Sequence, residues 1–214
     1  VENEIETFAS PDLMQVVVER LGLQTRYVQE QLLRDVELYR NCPFDARFAG
    51  ENPHSPYSFK VTPAGEEGFV LSEFRLKDEK FKEEVPGSYG DTLRTPVGKV
   101  VLYPVETDVD FNHPVKVSWT TGMSAAKAFC RNMHIALSGK ESSVLVFSIN
   151  DTYPSRASSI LSTLIDVYNE MWINNKNRAA INTTDFINER LVVIEKELGL
   201  VEDALKQYKS KNNL

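Results

Sequence analysis

Residues 187–208 read INERLVVIEKELGLVEDALKQY, a stretch in which apolar residues recur at a heptad spacing. The apolar positions alternate in steps of four and three: Ile187, Leu191, Ile194, Leu198, Val201, Leu205 and Tyr208. A repeat of 3.5 residues gives a narrow apolar stripe, which is typical of a helix packed against a partner helix. A helix that packs on its own domain also shows i, i+3, i+4 spacing, so that alternative stays open. The strict threes and fours favour a coiled coil or packing between subunits.

The heptad pattern runs on into the polar residues 210–213 and Leu214 without a Gly or Pro stop signal. We therefore expect the chain to be cut from a longer helix, and so to be an excised domain of a larger protein. A helix that needs a partner indicates assembly and scaffolding rather than catalysis.

Composition narrows the classes of partner. The chain has 214 residues, enough for one well-buried core and an extension. Its net charge of -7 argues against nucleic acid or an anionic membrane surface as the main partner, because both require a basic face. The sequence contains no apolar run near the roughly 20 residues of a membrane span, and no signal peptide. We expect any membrane anchor to lie outside this segment.

The first half of the chain predicts one clear helix and a series of strands. Ser10 and Pro11 mark a helix start, with Ser10 as the N-cap, and Gly22 marks its end. Apolar spacing and turn residues predict the remaining elements: helical spacing at Val28, Leu32, Val36 and Tyr39, a loop at 41–56, strands at 57–62 and 68–76 joined by a turn at 63–67, and a strand at 97–105.

The second half predicts alternating strands and helices. Val115, Val117 and Trp119 alternate with polar residues, as in a half-buried strand. A helix is predicted from Ser124 to Gly139, and the nearly continuous apolar run 144–149 predicts a strand covered on both faces. Asp151 to Pro154 then predicts the start of a long helix. This strand–helix–strand–helix order indicates an α/β sandwich.

The predicted fold class is therefore α/β (α+β), with a mixed-sheet base domain and a long C-terminal helical extension. We place the base domain at residues 1–152 with the start of the following helix, and long helices at 153–214. The last of these carries the heptad, and residues 174–182 are compatible with one continuous helix.

Asp108-Val109-Asp110 forms a D-x-D, the spacing with which some sugar-transferring enzymes hold a divalent metal, and His113 is near. Two acids at i and i+2 of a strand point the same way and can share an ion. The same spacing occurs by chance in many acidic chains, and here it leads into His113-Pro114. A solvated turn is the favoured interpretation, and we predict no metal site.

The other candidate residues form no recognisable site. His54, His113 and His134 have no ligand spacing, and His134, inside the predicted helix, is expected to be a packing or surface residue rather than a base. No G-x-S-x-G, P-loop, G-x-G-x-x-G or H-E-x-x-H is present. The sequence predicts no catalytic residue and no cofactor, so we expect this domain not to be an enzyme.

Cys42 and Cys130 are the two cysteines of the chain and lie far apart in sequence. Cys42 falls in the predicted loop and Cys130 in a helical pattern. Two unpaired thiols are the favoured interpretation, and a single disulfide stays open at this point. No CxxC or Cys/His cluster indicates zinc.

Five short blocks occur along the chain in an order shared with a known family. They are Asn3-Glu4-Ile5-Glu6 with Ser10, Leu13, Val17 and Leu21; Glu37-Leu38-Tyr39 followed by Pro43; Thr95-Pro96-Val97-Gly98; Asp151, Pro154 and Ala157 followed by Tyr168; and Phe186-Ile187 with Arg190, Leu191, Leu198, Glu202, Leu205, Tyr208 and Lys209. In these blocks the chain resembles the Wzz-type chain-length determinants, or polysaccharide co-polymerases. Each block alone is weak evidence for the family, whereas the order of the five blocks over nearly the whole chain is fairly specific to it.

The sequence departs from that family in three places. Val97 stands where the family's TPFG turn has Phe. The two flanking transmembrane helices and the Pro-rich segment before the second of them are absent, as expected of an excised extracytoplasmic domain. Many relatives carry a cytoplasmic tyrosine-kinase domain after the second span, and this segment does not show whether one follows here.

The resemblance implies a membrane-anchored α/β base on the periplasmic face of the bacterial inner membrane, with a long helical extension. It implies ring-like homo-oligomers that set the chain length of capsular, exo- or O-antigen polysaccharide (lipopolysaccharide). The implied partners are the polysaccharide and its membrane polymerase. Anchoring would come from segments outside this chain, and nucleic acid is not an expected partner.

Three functions from other classes compete with this interpretation. A periplasmic adaptor of an export pump also combines a small domain with a coiled-coil arm, but adaptors need an all-β domain interrupted by a helical hairpin. A sugar-acting enzyme would use Asp108 and Asp110. A coiled-coil scaffold, of an envelope export system or inside the cell, would need only the heptad.

Overall fold

The computed structural model of the chain describes residues 2–31, 33–50, 54–65, 68–139 and 142–211, without the side chains of residues 2, 202–204 and 208–211. The helices of this part are α1 (Glu2–Phe8), α2 (Pro11–Leu21), α3 (Gly122–Asn132) and α4 (Pro154–Lys211). Its strands are β1 (Thr25–Gln29), β2 (Val36–Glu37), β3 (Phe44–Phe48), β4 (Tyr57–Ala64), β5 (Gly68–Leu76), β6 (Glu79–Lys80), β7 (Val85–Ser88), β8 (Leu93–Thr95), β9 (Gly98–Pro104), β10 (Val115–Trp119), β11 (Met133–Leu137) and β12 (Leu145–Ile149).

The strands form three sheets. The seven-stranded sheet has the order β2-β1-β10-β4-β5-β6, with β7 also paired to β5. A three-stranded sheet has the order β3-β9-β8, and β11 and β12 form a two-stranded sheet. Every strand pair that the structure describes is antiparallel. The α+β class with a long C-terminal helix is confirmed, and its sheets are antiparallel rather than mixed.

The two larger sheets share one hydrophobic core. Phe59, Phe69 and Phe74 enter it from the seven-stranded sheet, and Phe44 and Leu102 enter it from the three-stranded sheet. All five side chains are almost fully buried. Burying a large apolar side chain stabilises a fold by about 1.5–3 kcal/mol. Burial of these side chains between the two sheets therefore stabilises this part of the molecule.

A bulge shifts the side-chain alternation of β5 halfway along the strand. Ser58 pairs with Arg75, whereas Lys60 pairs with Ser72, so β5 carries one extra residue at this point. Glu73 has a φ of 51°, which matches the backbone bend of a bulge. Because of the extra residue, both Leu71 and Phe74 face the core, although one position is odd and the other even.

The capping signals of α2 act as the sequence predicts. The Ser10 hydroxyl oxygen accepts the Asp12 N–H at 3.2 Å, and Pro11 occupies the first turn. Gly22 ends the helix with a φ of 67°, a left-handed conformation that glycine adopts without steric cost. Helix α2 packs against α3 and buries Met14 and Val17.

Two predictions are wrong in the first half of the chain, one of a helix and one of a loop. The segment 27–39 contains β1 and β2 rather than a helix, because Val28 pairs with Lys116 of β10 and with Glu37 of β2; Leu32 lies outside the described residues. Part of the predicted loop 41–56 is strand β3, which pairs with β9. Sheet pairing has overridden local spacing in both places.

The predicted helix 124–139 is also shorter than expected. It begins after the N-cap Thr121 and ends at Asn132, and Met133–Leu137 is strand β11, paired with β12. Met133 and Leu137 are four residues apart, a spacing that fits one face of a helix and one face of a strand equally well. The pairing with β12 decides for the strand.

Strand β12 confirms the predicted strand at 144–149, but the predicted coverage of both faces is wrong. Val146 is 51% exposed and Val144 is 60% exposed. The opposite face is covered, since the Phe147 ring contacts Phe8 of α1 edge-on, with 4.8 Å between centroids. The apolar run 144–149 therefore predicts the strand correctly, but it does not show that both faces of the strand are covered.

The chain divides into two compact units, Val1–Leu164 and Ile165–Leu214. The first contains the sheets, α1, α2, α3 and the first turns of α4, where Ile160 and Leu164 are buried. The second contains the remainder of α4. One uninterrupted helix covers 154–211, so residues 174–182 are helical, as the sequence allows.

Candidate functional site

A cleft of about 860 Å³ opens in the unit Val1–Leu164. Its walls come from the end of α2, strands β1 and β2, helix α3, and the segment that leads into α4. Ligand sites in proteins commonly enclose about 300–1,000 Å³. The volume is therefore sufficient for a small molecule or a short polymer segment.

Arg156 lies at one side of the cleft and is 8% exposed. Its Nε and Nη2 donate to the two carboxylate oxygens of Asp151, each at 2.7 Å, which is a bidentate pair. Its Nη1 donates to the Glu37 carboxylate. The guanidinium also lies 5.2 Å from the Tyr39 ring centroid and 5.5 Å from that of Tyr153, within cation–π range.

This arrangement joins two segments that are more than a hundred residues apart in sequence. Arg156 lies in the first turn of α4 and Tyr153 directly precedes that helix, while Glu37 belongs to β2, which is paired with β1. The Tyr153 hydroxyl donates to the Glu37 backbone carbonyl, and Arg26 of β1 donates to the Glu37 carboxylate at 3.0 Å. We call Arg26, Glu37, Asp151, Tyr153 and Arg156 the charged cluster.

Both carboxylates of the charged cluster have lowered pKa values. Burial alone would raise the pKa of Glu37, but hydrogen bonds and positive charge from Arg156 and Arg26 outweigh burial. The pKa of Asp151 is lowered in the same way, because burial is outweighed by Arg156 and by the Tyr153 N–H, which donates to Asp151 at 2.8 Å. Both groups are therefore ionised at neutral pH.

Tyr39 lines the same cleft and has two unusual properties. It has a φ of 46°, a conformation that is strained for a residue with a large side chain. Its hydroxyl is buried and has no hydrogen-bond partner within the described residues. A buried polar atom without a partner is rare in native proteins and is often found at a functional site. Tyr39 therefore combines a strained backbone with a buried hydroxyl that has no hydrogen-bond partner within the described residues.

The charged side chains of the lining are balanced, and apolar residues line the cleft as well: Leu21, Leu23, Ala125, Ala128 and Phe129. Three arginines (Arg26, Arg40 and Arg156) face three carboxylates (Glu37, Asp45 and Asp151). Hydroxyl and amide side chains complete the polar lining: Thr25, Thr120, Ser124, Asn132, Asn150 and Thr152. The cleft thus offers many hydrogen-bond donors and acceptors without a surplus of either charge.

The predicted heptad residues lie on α4 and are exposed in the single chain. The exposed fractions are 51% for Ile187, 50% for Leu191, 57% for Ile194, 56% for Leu198, 64% for Val201 and 51% for Leu205. The side chain of Tyr208 lies outside the described residues. These six side chains are therefore exposed on the helical unit Ile165–Leu214. We call Ile187, Leu191, Ile194, Leu198, Val201 and Leu205 the heptad stripe.

The D-x-D segment and the histidines are not brought together. Asp108 and Asp110 are exposed in the irregular segment between β9 and β10. The described residues contain no group of three or more potential metal ligands. His134 was predicted to lie in a helix, but it occupies β11 opposite Ser148, where it is exposed.

The two cysteines are separate thiols, as predicted. Cys42 is buried next to the core, and Cys130 is partly exposed on α3. Burial raises the pKa of Cys42 to about 12 and also raises that of Cys130. Both side chains are therefore protonated and weakly nucleophilic at neutral pH.

Sequence reasoning did not identify the charged cluster. In the sequence, Glu37 belongs to a short motif block, Asp151 and Pro154 belong to another block and to the predicted helix start, and Arg156 belongs to no motif. Arg156 stands five residues after Asp151 in a predicted helix start, a spacing that is too common to indicate a pair. The contact with Glu37 depends on sheet pairing far away in sequence, which no local pattern reports.

The described helices contain no segment long and apolar enough to cross a membrane. Comparison with known proteins adds no relative: the chain matches no protein-family model, and no curated protein shows significant similarity to it.

Proposed function

We propose that this chain is the extracytoplasmic domain of a membrane-anchored polysaccharide co-polymerase, which regulates polysaccharide chain length through homo-oligomeric assembly. The observation that carries the proposal is the heptad stripe, because six apolar side chains in helical register are each at least half exposed. Monomeric proteins rarely leave such a continuous apolar surface uncovered. A second copy of the same helix offers a complementary stripe.

The length and spacing of the helix suit assembly. Residues 165–211 of α4 form 47 of its 58 residues and extend for about 70 Å at about 1.5 Å per residue. A strict heptad drifts by about 20° per repeat around a straight helix, so partner helices must supercoil slightly to stay in contact. The equivalent positions before the stripe are Thr184, Ala180 and Asn177, none of which carries a large apolar side chain. We infer that copies pack along 187–205.

The charged cluster supports the resemblance on which the family assignment rests. The block Glu37-Leu38-Tyr39 and the block around Asp151 and Pro154 are distant in sequence, and the structure brings them into contact through Arg156 and Tyr153. Blocks that hold one another in place are expected to occur together in related proteins. This contact gives a physical reason for motifs that are weak when taken alone.

The test is the length of the surface polysaccharide made by cells that lack the gene. Deletion should change the length distribution on a gel, and expression of the full-length protein should restore it. An unchanged distribution would contradict the proposal. Sequencing the native reading frame on both sides of Val1 and Leu214 is a second test. Span-free flanks would remove the membrane anchor and leave the coiled-coil scaffold as the better candidate.

A further inference from the structure

We propose that the cleft of the unit Val1–Leu164 binds a small amphipathic carboxylate, an apolar chain or ring that carries one negative charge. Two features of the lining carry this inference. One is an apolar wall built by α2 and α3, and the other is an arginine that no carboxylate of the described residues neutralises. The inference goes beyond the proposed function and does not rest on it.

The apolar wall comes from two neighbouring helices. The end of α2 and the residue after its glycine cap contribute Leu21 and Leu23. Helix α3, which packs against α2, contributes Ala125, Ala128 and Phe129. These three residues are spaced by three and four positions, so they lie on one face of α3. A ligand with a hydrocarbon body removes this wall from water when it binds, which favours binding.

The carboxylates of the lining are all paired with arginines. Both carboxylates of the charged cluster accept hydrogen bonds from arginines of the same cluster. The third carboxylate, that of Asp45, pairs at 2.7 Å with Arg47, which is not part of the lining. The three carboxylates that line the cleft are therefore neutralised without any contribution from Arg40.

Arg40 is thus the unneutralised cation of the cleft. It lies in the short helical turn Tyr39–Asn41 after β2, and its side chain is exposed. Its guanidinium lies 5.5 Å from the Tyr39 ring centroid, and no ion pair joins it to a carboxylate among the described residues. A free guanidinium can bind a carboxylate through two parallel hydrogen bonds.

The charge and the apolar wall together select the class of ligand. One free arginine matches one negative charge, whereas a polyanion would bring surplus charge close to three carboxylates. An uncharged polar ligand would leave both Arg40 and the apolar wall unused. A purely apolar ligand would cover charged groups without pairing with them, which is costly. An apolar body with one carboxylate contacts the wall and neutralises the arginine.

The experiment is isothermal titration calorimetry of the 214-residue chain at pH 7 with octanoate. Two reference probes separate the two features: 1-octanol keeps the chain and lacks the charge, and butanoate keeps the charge and lacks four methylenes. We expect octanoate to bind with a dissociation constant of about 1 mM or tighter. Each reference probe should bind about tenfold more weakly or worse, because it loses either the charged hydrogen bonds or the apolar contact.

Two variants locate the probe in the cleft. Arg40→Gln should weaken octanoate binding by about tenfold or more and leave octanol binding unchanged, because it removes the charge alone. Arg94→Gln is the matched control, since Arg94 is exposed on β8 and is not part of the lining. Ala128→Trp should abolish octanoate binding by filling the apolar wall, which distinguishes the cleft from the exposed heptad stripe. A urea titration of each variant checks that it is folded.

The amphipathic carboxylate site is overturned if octanoate does not bind, or if octanol or butanoate binds equally well. It is also overturned if Arg40→Gln binds octanoate like the wild type, if Arg94→Gln weakens binding to the same degree, or if folded Ala128→Trp still binds octanoate. The proposed function depends on polysaccharide length in cells, so a failure of either proposal is recognised separately from the other.

Discussion

Replacing Leu198 by Asp tests whether the heptad stripe is an interface between copies. Leu198 is 56% exposed in the single chain, so an interface can still bury about half of its surface. Full burial of Leu is worth about 1.5–3 kcal/mol, and the remaining half is therefore worth about 1–1.5 kcal/mol. Two copies contribute one Leu198 each, which gives about 2–3 kcal/mol per helix pair, before the added cost of burying a carboxylate.

This energy corresponds to a loss of about 30–140-fold in the association constant, because a tenfold change is about 1.4 kcal/mol. Sedimentation equilibrium of the 214-residue chain over a range of concentrations measures this constant directly. The wild type should associate, and Leu198→Asp should shift the population toward monomer. Unfolding of the Val1–Leu164 unit should be unchanged, since Leu198 lies outside that unit.

Leu200→Asp is the matched control. Leu200 lies on the same helix and is 65% exposed, but it stands about 200° around the axis from Leu198 and outside the heptad stripe. Both variants lose the same helix propensity, about 0.5 kcal/mol. The reasoning is refuted if Leu198→Asp associates like the wild type, or if Leu200→Asp dissociates to the same degree.

Three further predictions concern the Val1–Leu164 unit. Arg156→Ala should lower the free energy of unfolding by about 3–5 kcal/mol in a urea titration followed by near-ultraviolet circular dichroism, because Asp151 and Glu37 would be left buried without their partner; a loss below about 1 kcal/mol would contradict this. Stability should fall as the pH drops below about 4, because carboxylates with lowered pKa values stabilise the fold above the ordinary carboxyl pKa and lose this effect on protonation. In acid, the free energy of unfolding should change less steeply with pH for Arg156→Ala than for the wild type. An equal slope would mean that other carboxylates cause the loss of stability. In thiol labelling of the folded protein at pH 8, Cys130 should react before Cys42, and both should react at one rate in urea.

Local sequence predicts the elements that have clear capping residues or a long periodic pattern of apolar residues. Ser10 and Gly22 fix the ends of α2 through capping and a left-handed turn, both of which depend on neighbouring residues alone. The alternation around residues 57–62 and 68–76 likewise predicts the β4–β5 hairpin. The heptad of 187–205 predicts an apolar stripe on a helix, and the structure shows that stripe exposed.

Tertiary structure determined the elements whose local sequence pattern is compatible with either a helix or a strand. Met133 to Leu137 suits a helix or a strand, and pairing with β12 selects the strand. The segment 27–39 forms β1 and β2 only because β10 supplies a partner from nearly ninety positions away in sequence. The cleft and its charged cluster depend on the same long-range pairing, since it is the sheet that brings Glu37 to Arg156. Capping and periodicity act within a few residues of the chain, whereas sheet pairing and buried ion pairs act between segments that only the folded molecule brings together.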